Sequence, residues 1–174
     1  MLEGSKVYLR QIEMEDVNLL LLWENDVENW RYSETEAPYS LFEIKSYVES
    51  ASQVRANQQL RLIICKVETD EPIGTVDLFE IDFKNARAGI GILIAEKENR
   101  QQGFAIETLA LIEKFAATNL SLEQLYCDIQ VDNKASIQLF ERAGFKHNGT
   151  KKDWYKLKDE KLDAYFYQKF IKIQ

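Results

Sequence analysis

The chain has 174 residues, the length of one domain, and its 45% apolar and 29% charged residues are ordinary for a globular protein. With 29 Asp and Glu against 22 Lys and Arg the net charge is −7, so nucleic acid phosphate and anionic lipid are both repelled. The single histidine, His147, excludes a metal site built on several imidazoles, and no metal is expected.

No apolar run approaches the roughly 20 residues that span a bilayer. The N-terminal Met1-Leu-Glu-Gly-Ser-Lys-Val-Tyr-Leu-Arg is polar and carries no secretory apolar region, so a cytoplasmic location is expected. Cys65 and Cys127 stand inside apolar, strand-like runs, which suits two reduced, buried thiols. No repeat or linker interrupts the chain, and residues 1–174 read as one domain.

Lys6 to Ile12 alternates as a first strand. Glu13-Met-Glu-Asp opens a helix through Leu19, Leu20, Leu22 and Trp23, with acids in the turn where the helix dipole favours them. Residues 25–39 are irregular and aromatic. Ser40, with Glu43 three residues on, makes a capping box for a second helix that carries Leu41, Ile44, Tyr47, Val48 and Ala51 on one face. Leu60–Val67, Ile73–Asp82 and Ala86–Ile94 follow as an antiparallel meander with turns at Thr69-Asp-Glu-Pro and Phe83-Lys-Asn. A helix from Gly103 to about Thr118 is apolar on most sides, as a helix lying on a sheet must be. Leu125–Val131 is a strand, Asn133–Ala143 a helix stopped by Gly144, and strands at Lys146–Leu157 and Leu162–Ile173 close the chain. The order β-α-α-β-β-β-α-β-α-β-β predicts an α/β (α+β) class with one mixed sheet and helices on both faces.

The most informative segment is Arg100-Gln101-Gln102-Gly103-Phe104-Ala105, between an apolar strand and a long helix. A helix start offers unpaired N–H groups and partial positive charge, and Gly103 lets a phosphate approach the main chain. The segment is neither a P-loop nor the three-glycine dinucleotide fingerprint. A lone glycine before a helix is also compatible with a simple helix start. A nucleotide-binding enzyme is the weakest alternative, since no acid follows to grip a ribose.

Arg100-x-x-Gly103-x-Ala105 after an apolar strand resembles the acetyl-CoA signature of the GNAT superfamily of N-acetyltransferases, Gln/Arg-x-x-Gly-x-Gly/Ala. Asn133-Lys-Ala-Ser136, leading into a helix that ends Gly144-Phe145, resembles the second family block. Leu9-Arg10 before an acidic helix start and Trp23-Glu-Asn-Asp are similar to the ribosomal-protein and spermidine N-acetyltransferase branch. The resemblance spans residues 6 to 173 and is strongest over 86–145.

The resemblance implies a GNAT-like fold, with acetyl-CoA in a cleft where two central parallel strands, 86–94 and 124–131, splay apart. Backbone groups of Ile92, Leu93 and Ile94 would pair with the pantetheine arm. Arg100, Gln101, Gln102, Gly103, Phe104 and Ala105 would hold the pyrophosphate. Asn133 would bond the cofactor arm, with Ser136 near it. The acceptor is a primary amine, of a polyamine-like small molecule or a protein N-terminus, attacking the thioester directly in a ternary complex. A CoA-binding module or sensor without turnover is the alternative.

Two positions depart from the family. Phe140 stands beside the cofactor where many members carry a thiolate-protonating Tyr, and Gly89 replaces an acid common at the start of the central strand. Asp77 and Glu80 are the remaining candidates for a base. Three apart, they would face opposite sides of a regular strand. Asp77, grouped with Ile73, Thr75, Phe79 and Ile81, is expected to be the inward one, while a role as solvated edge acids fits both equally. The acceptor wall implied by the family is the 25–40 loop, with Trp30, Tyr32 and Tyr39 offering cation–π faces and Glu24, Asp26, Glu34 and Glu36 negative potential. Covering the core is an equal alternative for these aromatic residues. The terminal Tyr165-Phe-Tyr run is expected in the sheet and doubles as a candidate homodimer edge. His147 is expected at a surface or strand edge rather than as a base.

Overall fold

The computed structural model describes residues 2–33, 35–157 and 159–171. In chain order the elements are β1 (Leu2–Glu3), β2 (Val7–Gln11), a 3-10 turn at Met14–Asp16, α1 (Val17–Glu24), α2 (Val27–Trp30), α3 (Leu41–Ser50) and α4 (Val54–Asn57). β3 (Leu60–Lys66), β4 (Pro72–Asp82), β5 (Arg87–Ile94), a 3-10 turn at Lys97–Asn99, α5 (Phe104–Asn119) and β6 (Gln124–Gln130) come next. The last are α6 (Lys134–Arg142), β7 (Lys146–Leu157) and β8 (Glu160–Phe170). Every expected element is present, the last strand starting at Glu160 rather than Leu162; residues 172 and 173, expected at its end, lie outside the described residues. β1, α2 and α4 are additions, too short to leave a periodic signal.

The capping box read at Ser40 is formed. Ser40 Oγ accepts from Glu43 N at 3.2 Å and Glu43 Oε2 accepts from Ser40 N at 2.7 Å. A second box joins Glu13 and Asp16 at the entry to α1.

One eight-stranded sheet runs β1-β2-β3-β4-β5-β6-β8-β7. The β5–β6 pair is parallel and the others antiparallel. A parallel pair needs a crossover, and α5 supplies it. Alternation along each strand divides the side chains between two layers. Leu62, Ile64, Val76, Leu78, Ile90 and Leu125 meet Leu109, Ile112 and Ala116 of α5 and Phe140 of α6. On the other face Ile63 and Cys65 meet Leu20 and Trp23 of α1 and Ile44 and Val48 of α3. Each fully buried Leu or Ile contributes about 1.5–3 kcal/mol of transfer free energy. Cys65 and Cys127 are free and buried, and burial pushes the Cys127 thiol up, away from the reactive thiolate. Among the described residues no helix is long and apolar enough to cross a membrane, and no acid, thiol or imidazole cluster could hold a metal ion.

Candidate active site

β5 and β6 pair over three rungs only, Arg87↔Gln124, Ala88↔Leu125 and Gly89↔Tyr126. Beyond Gly89 each strand continues with its outer neighbour, β5 as far as Gly74↔Ile94 and β6 as far as Gln130↔Ala164. The two therefore splay from an apex at Gly89 and Tyr126. Ala88, Gly89 and Ile90 are buried, whereas Gly91, Ile92, Leu93 and Ile94 are partly exposed along the opening. An edge strand with unpaired N–H and C=O groups is a template for an extended ligand.

The loop after β5 leads to α5. Gln101 and Gly103 both take left-handed backbone, with φ of 60° and 86°. Gly103 sits at the N-cap with no side-chain cap, so the N–H groups of the first turn at Phe104 and Ala105 have no partner within the helix. Arg100 does not stand free. Its Nε donates to Ile94 O at 3.1 Å and its Nη2 to Ala95 O at 3.0 Å, satisfying carbonyls at the end of β5 and fastening the loop to the strand. The Gln102 amide bonds Glu98 O, while Gln101 is exposed.

A second cation escaped the sequence reading. Lys6 Nζ donates to Gln102 O at 2.8 Å and lies 3.1 Å from where a Cβ on Gly103 would be. Glu107, in the first turn of α5, anchors the Lys6 turn by accepting from Ser5 N, Ser5 Oγ, Lys6 N and Val7 N at 2.6–2.9 Å. Burial pushes this carboxyl up, but those hydrogen bonds outweigh burial and hold it below its usual range.

At the start of α6, Asn133 Oδ1 accepts from Ser136 N at 3.2 Å, so the two residues expected at the cofactor arm form one helix cap. The Phe140 ring is 4% exposed and packs edge-on against Phe145 at 5.0 Å.

The expected alternation through β4 is broken twice. Irregular pairing near Ile73 and between Phe79 and Asp82 brings Ile73 and Ile81 into the α5-side core with Val76 and Leu78. Only Thr75 and Phe79 keep the face of Asp77. Glu80 occupies the second irregularity with φ 48°, uncommon for a side-chain-bearing residue, and its carboxylate reaches the same face. Both acids therefore serve the face of α1 and α3, where the regular-strand argument allowed one.

Their surroundings differ. Asp77 Oδ1 accepts from Arg61 Nε at 2.6 Å, and Arg61 Nη1 donates to Glu24 Oε1 at 2.6 Å. Arg61 also lies over the Tyr47 ring at 5.3 Å. Burial alone would weaken protonation of this guanidinium, but Asp77, Tyr47 and Glu24 outweigh it and hold the charge more firmly than usual. Burial pushes the Tyr47 phenol up to about 12. Asp77 and Glu24 are thus occupied by an arginine absent from the candidate set. Glu80 is exposed and accepts one hydrogen bond, from Tyr126 Oη to Oε2 at 2.6 Å. The glycine at position 89 has a steric cause: a Cβ there would lie 2.2 Å from the Phe79 ring.

The 25–33 segment spans the open end of the splay. Lys97, just past β5, pairs with Glu28 at 2.7 Å; Gln130, at the end of β6, donates to Arg31 O at 3.0 Å, and Arg31 pairs with Asp132 at 2.6 Å. Trp30 is fixed by its Nε1 on Glu24 O at 2.8 Å. The rings of Tyr32 and Tyr39 are 48% and 38% exposed, and Asp26 caps α2. Glu36 is exposed, and Glu34 lies outside the described residues. A cavity of about 640 Å³ opens beside the splay, lined by Leu21, Leu22, Trp23, Val27, Ala95 and Glu96. His147 is exposed at the edge of β7, 3.3 Å from Thr150 Oγ1, as expected.

The acetyltransferase (GNAT) domain model matches residues 6–146. The chain belongs to the GNAT acetyltransferase family. It is similar to an N-acetyltransferase of Bacillus licheniformis, p20, with 27% identity over 94% of this chain and 92% of the relative. Its identity to the spermidine N(1)-acetyltransferase of Escherichia coli K12 is 28%, over 84% of this chain and 76% of that protein. The fold matches a Vibrio cholerae spermidine N-acetyltransferase solved in complex with CoA and spermine, with TM-score 0.83, 23% identity and 97% of each chain covered. This GNAT chain is accordingly an N-acetyltransferase that acetylates an amine, and acetyl-CoA is the family's donor.

Proposed function

We propose that this acetyltransferase binds acetyl-CoA in the β5–β6 splay and acetylates a small, polyamine-like primary amine by direct attack. The carrying observation is the apex of the splay, where the exposed carboxylate of Glu80 stands beside the edge of β5. Ile92, Leu93 and Ile94 offer main-chain groups to the pantetheine arm. The first-turn N–H groups of α5 at Phe104 and Ala105 hold the pyrophosphate, with Arg100 and Lys6 supplying positive charge. The Asn133–Ser136 cap borders the arm. From a diphosphate at Gly103, an arm lying along Ile94 to Ile92 carries the thioester toward the apex.

The acceptor ammonium gives a proton to Glu80, and its nitrogen attacks the thioester carbonyl, whose developing oxyanion takes a hydrogen bond from a β5 N–H near Leu93. Asp77, tied to Arg61, contributes negative potential rather than base catalysis. The thiolate departs without help from Phe140, which an ordinary thiol pKa of about 8.5 permits. Acids and half-exposed tyrosines around the site favour a cationic acceptor, as does the likeness to spermidine acetyltransferases.

Calorimetric titration with acetyl-CoA, followed by CoA release with spermidine as acceptor, tests the reading. Wild-type enzyme is expected to bind acetyl-CoA and to turn over spermidine; no binding at high micromolar acetyl-CoA overturns it. Arg100→Glu removes the cation and the clasp on Ile94 and Ala95, and is expected to weaken acetyl-CoA binding by roughly tenfold or more, about 1.4 kcal/mol. Unchanged affinity would place the diphosphate elsewhere.

A further inference from the structure

Glu80 alone is a poorly aimed base. It is an exposed side chain with three rotatable bonds, on a left-handed bulge residue. Backbone strain of this kind persists only where the surroundings enforce it. The enforcing element lies across the apex. Tyr126 is the last β6 residue paired with β5, opposite Gly89, and its hydroxyl donates to Glu80 Oε2 at 2.6 Å. The Tyr126 ring is gripped on two sides, edge-on by Phe79 at 6.5 Å and by Phe166 of β8 at 5.9 Å. Phe79 itself leans over Gly89, into the space that any side chain there would fill. Gly89, Phe79, Tyr126 and Glu80 thus form one stack ending in a carboxylate at the apex.

We propose that Tyr126 is the positioning residue for the reaction: through its hydrogen bond to Oε2 it aims Glu80 so that Oε1 receives the proton of the acceptor ammonium. This rests on the proposed acetyl transfer at the splay. One ammonium proton passes to Glu80 and the freed nitrogen lone pair forms the C–N bond. The C–S bond breaks with its electron pair leaving on sulfur. The second nitrogen proton goes to water. Glu80 and water then return one proton to the thiolate and release one to solvent. Tyr126 keeps its own proton throughout. Burial first, and Glu80 next, push its phenol well above the usual tyrosine range. The other charged groups around the pair are themselves paired: Arg87 of β5 with Asp82 at 3.2 Å, Asp128 of β6 with Lys151 at 2.7 Å, and Asp77 of β4 with Arg61 at 2.6 Å.

The test compares wild type, Tyr126→Phe, Glu80→Gln and the double variant in the full chain. Acetyl-CoA affinity is measured by calorimetry, and kcat and KM for spermidine by release of CoA. Glu80→Gln is expected to lower kcat/KM by roughly a hundredfold, the usual scale of one general base. Tyr126→Phe should lower kcat about tenfold while KM for spermidine stays within twofold of wild type. Acetyl-CoA affinity should stay within twofold of wild type in both. The double variant should be no slower than Glu80→Gln, because residues acting as a unit are not additive. A Tyr126→Phe enzyme with wild-type kcat, or a double variant slower than Glu80→Gln, overturns the inference, since a merely structural loss adds to the loss at Glu80. Wild-type enzyme that binds acetyl-CoA yet turns over no amine overturns the function reading, and this inference with it.

Discussion

Arg61→Met is expected to cost about 3–5 kcal/mol of stability at pH 7, the range for breaking a buried ion pair from one side. Arg61 lies between Glu24 and Asp77 at 2.6 Å from each, and all three side chains are at most 19% exposed. Removing the cation leaves two carboxylates facing each other beneath α1 and α3. Denaturant unfolding at pH 7 measures this, and a deficit under about 1 kcal/mol contradicts the account. The triple change Arg61→Met, Glu24→Gln and Asp77→Asn should restore much of the loss, because it leaves no uncompensated charge.

The Arg61 cluster also marks where the sequence stops being legible. Local chemistry read well: the capping box at Ser40 and Glu43, the limits of Lys146–Leu157, and the glycine that opens α5 all depend on residues a few positions apart. Arg61 lies 37 residues from Glu24 and 16 from Asp77, and becomes their partner only through the β3–β4 register and the docking of α1. Alternation failed on β4 for a related reason. Bulges flank Gly74–Phe79, so Ile73 and Ile81 change face and Glu80 joins Asp77. A non-glycine residue with φ 48° leaves no mark in hydrophobic periodicity. Nothing in the local sequence sets Tyr126 apart from any strand tyrosine; the parallel pairing places it opposite Gly89. Lys6 likewise reaches Gly103 across 97 residues of chain, and only because Glu107 fastens its turn to α5. In each case the missing information was which strand or turn is neighbour to which.

Gly74→Ala should be the most damaging single methyl group in the protein, and Gly91→Ala one of the mildest for stability, although both lie on the β4–β5 ladder. A Cβ on Gly74 would stand 1.9 Å from Leu93 O and 2.9 Å from Leu93 C, and these are backbone atoms that no rotamer change can move. The strands must part where Gly74 pairs with Ile94 and where Ala95 N donates to Ile73 O at 2.9 Å. Overpacking of this kind costs about 1–3 kcal/mol and more where backbone must shift, so a loss of about 3 kcal/mol is expected. The displaced segment is Leu93–Ile94, so acetyl-CoA affinity should fall at least tenfold even at temperatures where the variant stays folded. At Gly91 a Cβ would touch only the Phe79 ring, at an ordinary 3.8 Å, and stability should change by less than about 1 kcal/mol. Gly91 nevertheless pairs with Asp77 on the face proposed for the acceptor. If the amine crosses that face to reach the apex, Gly91→Ala raises KM for spermidine and leaves acetyl-CoA affinity unchanged. An unchanged KM would send the acceptor in by another route, past the 25–33 segment at the open end of the splay.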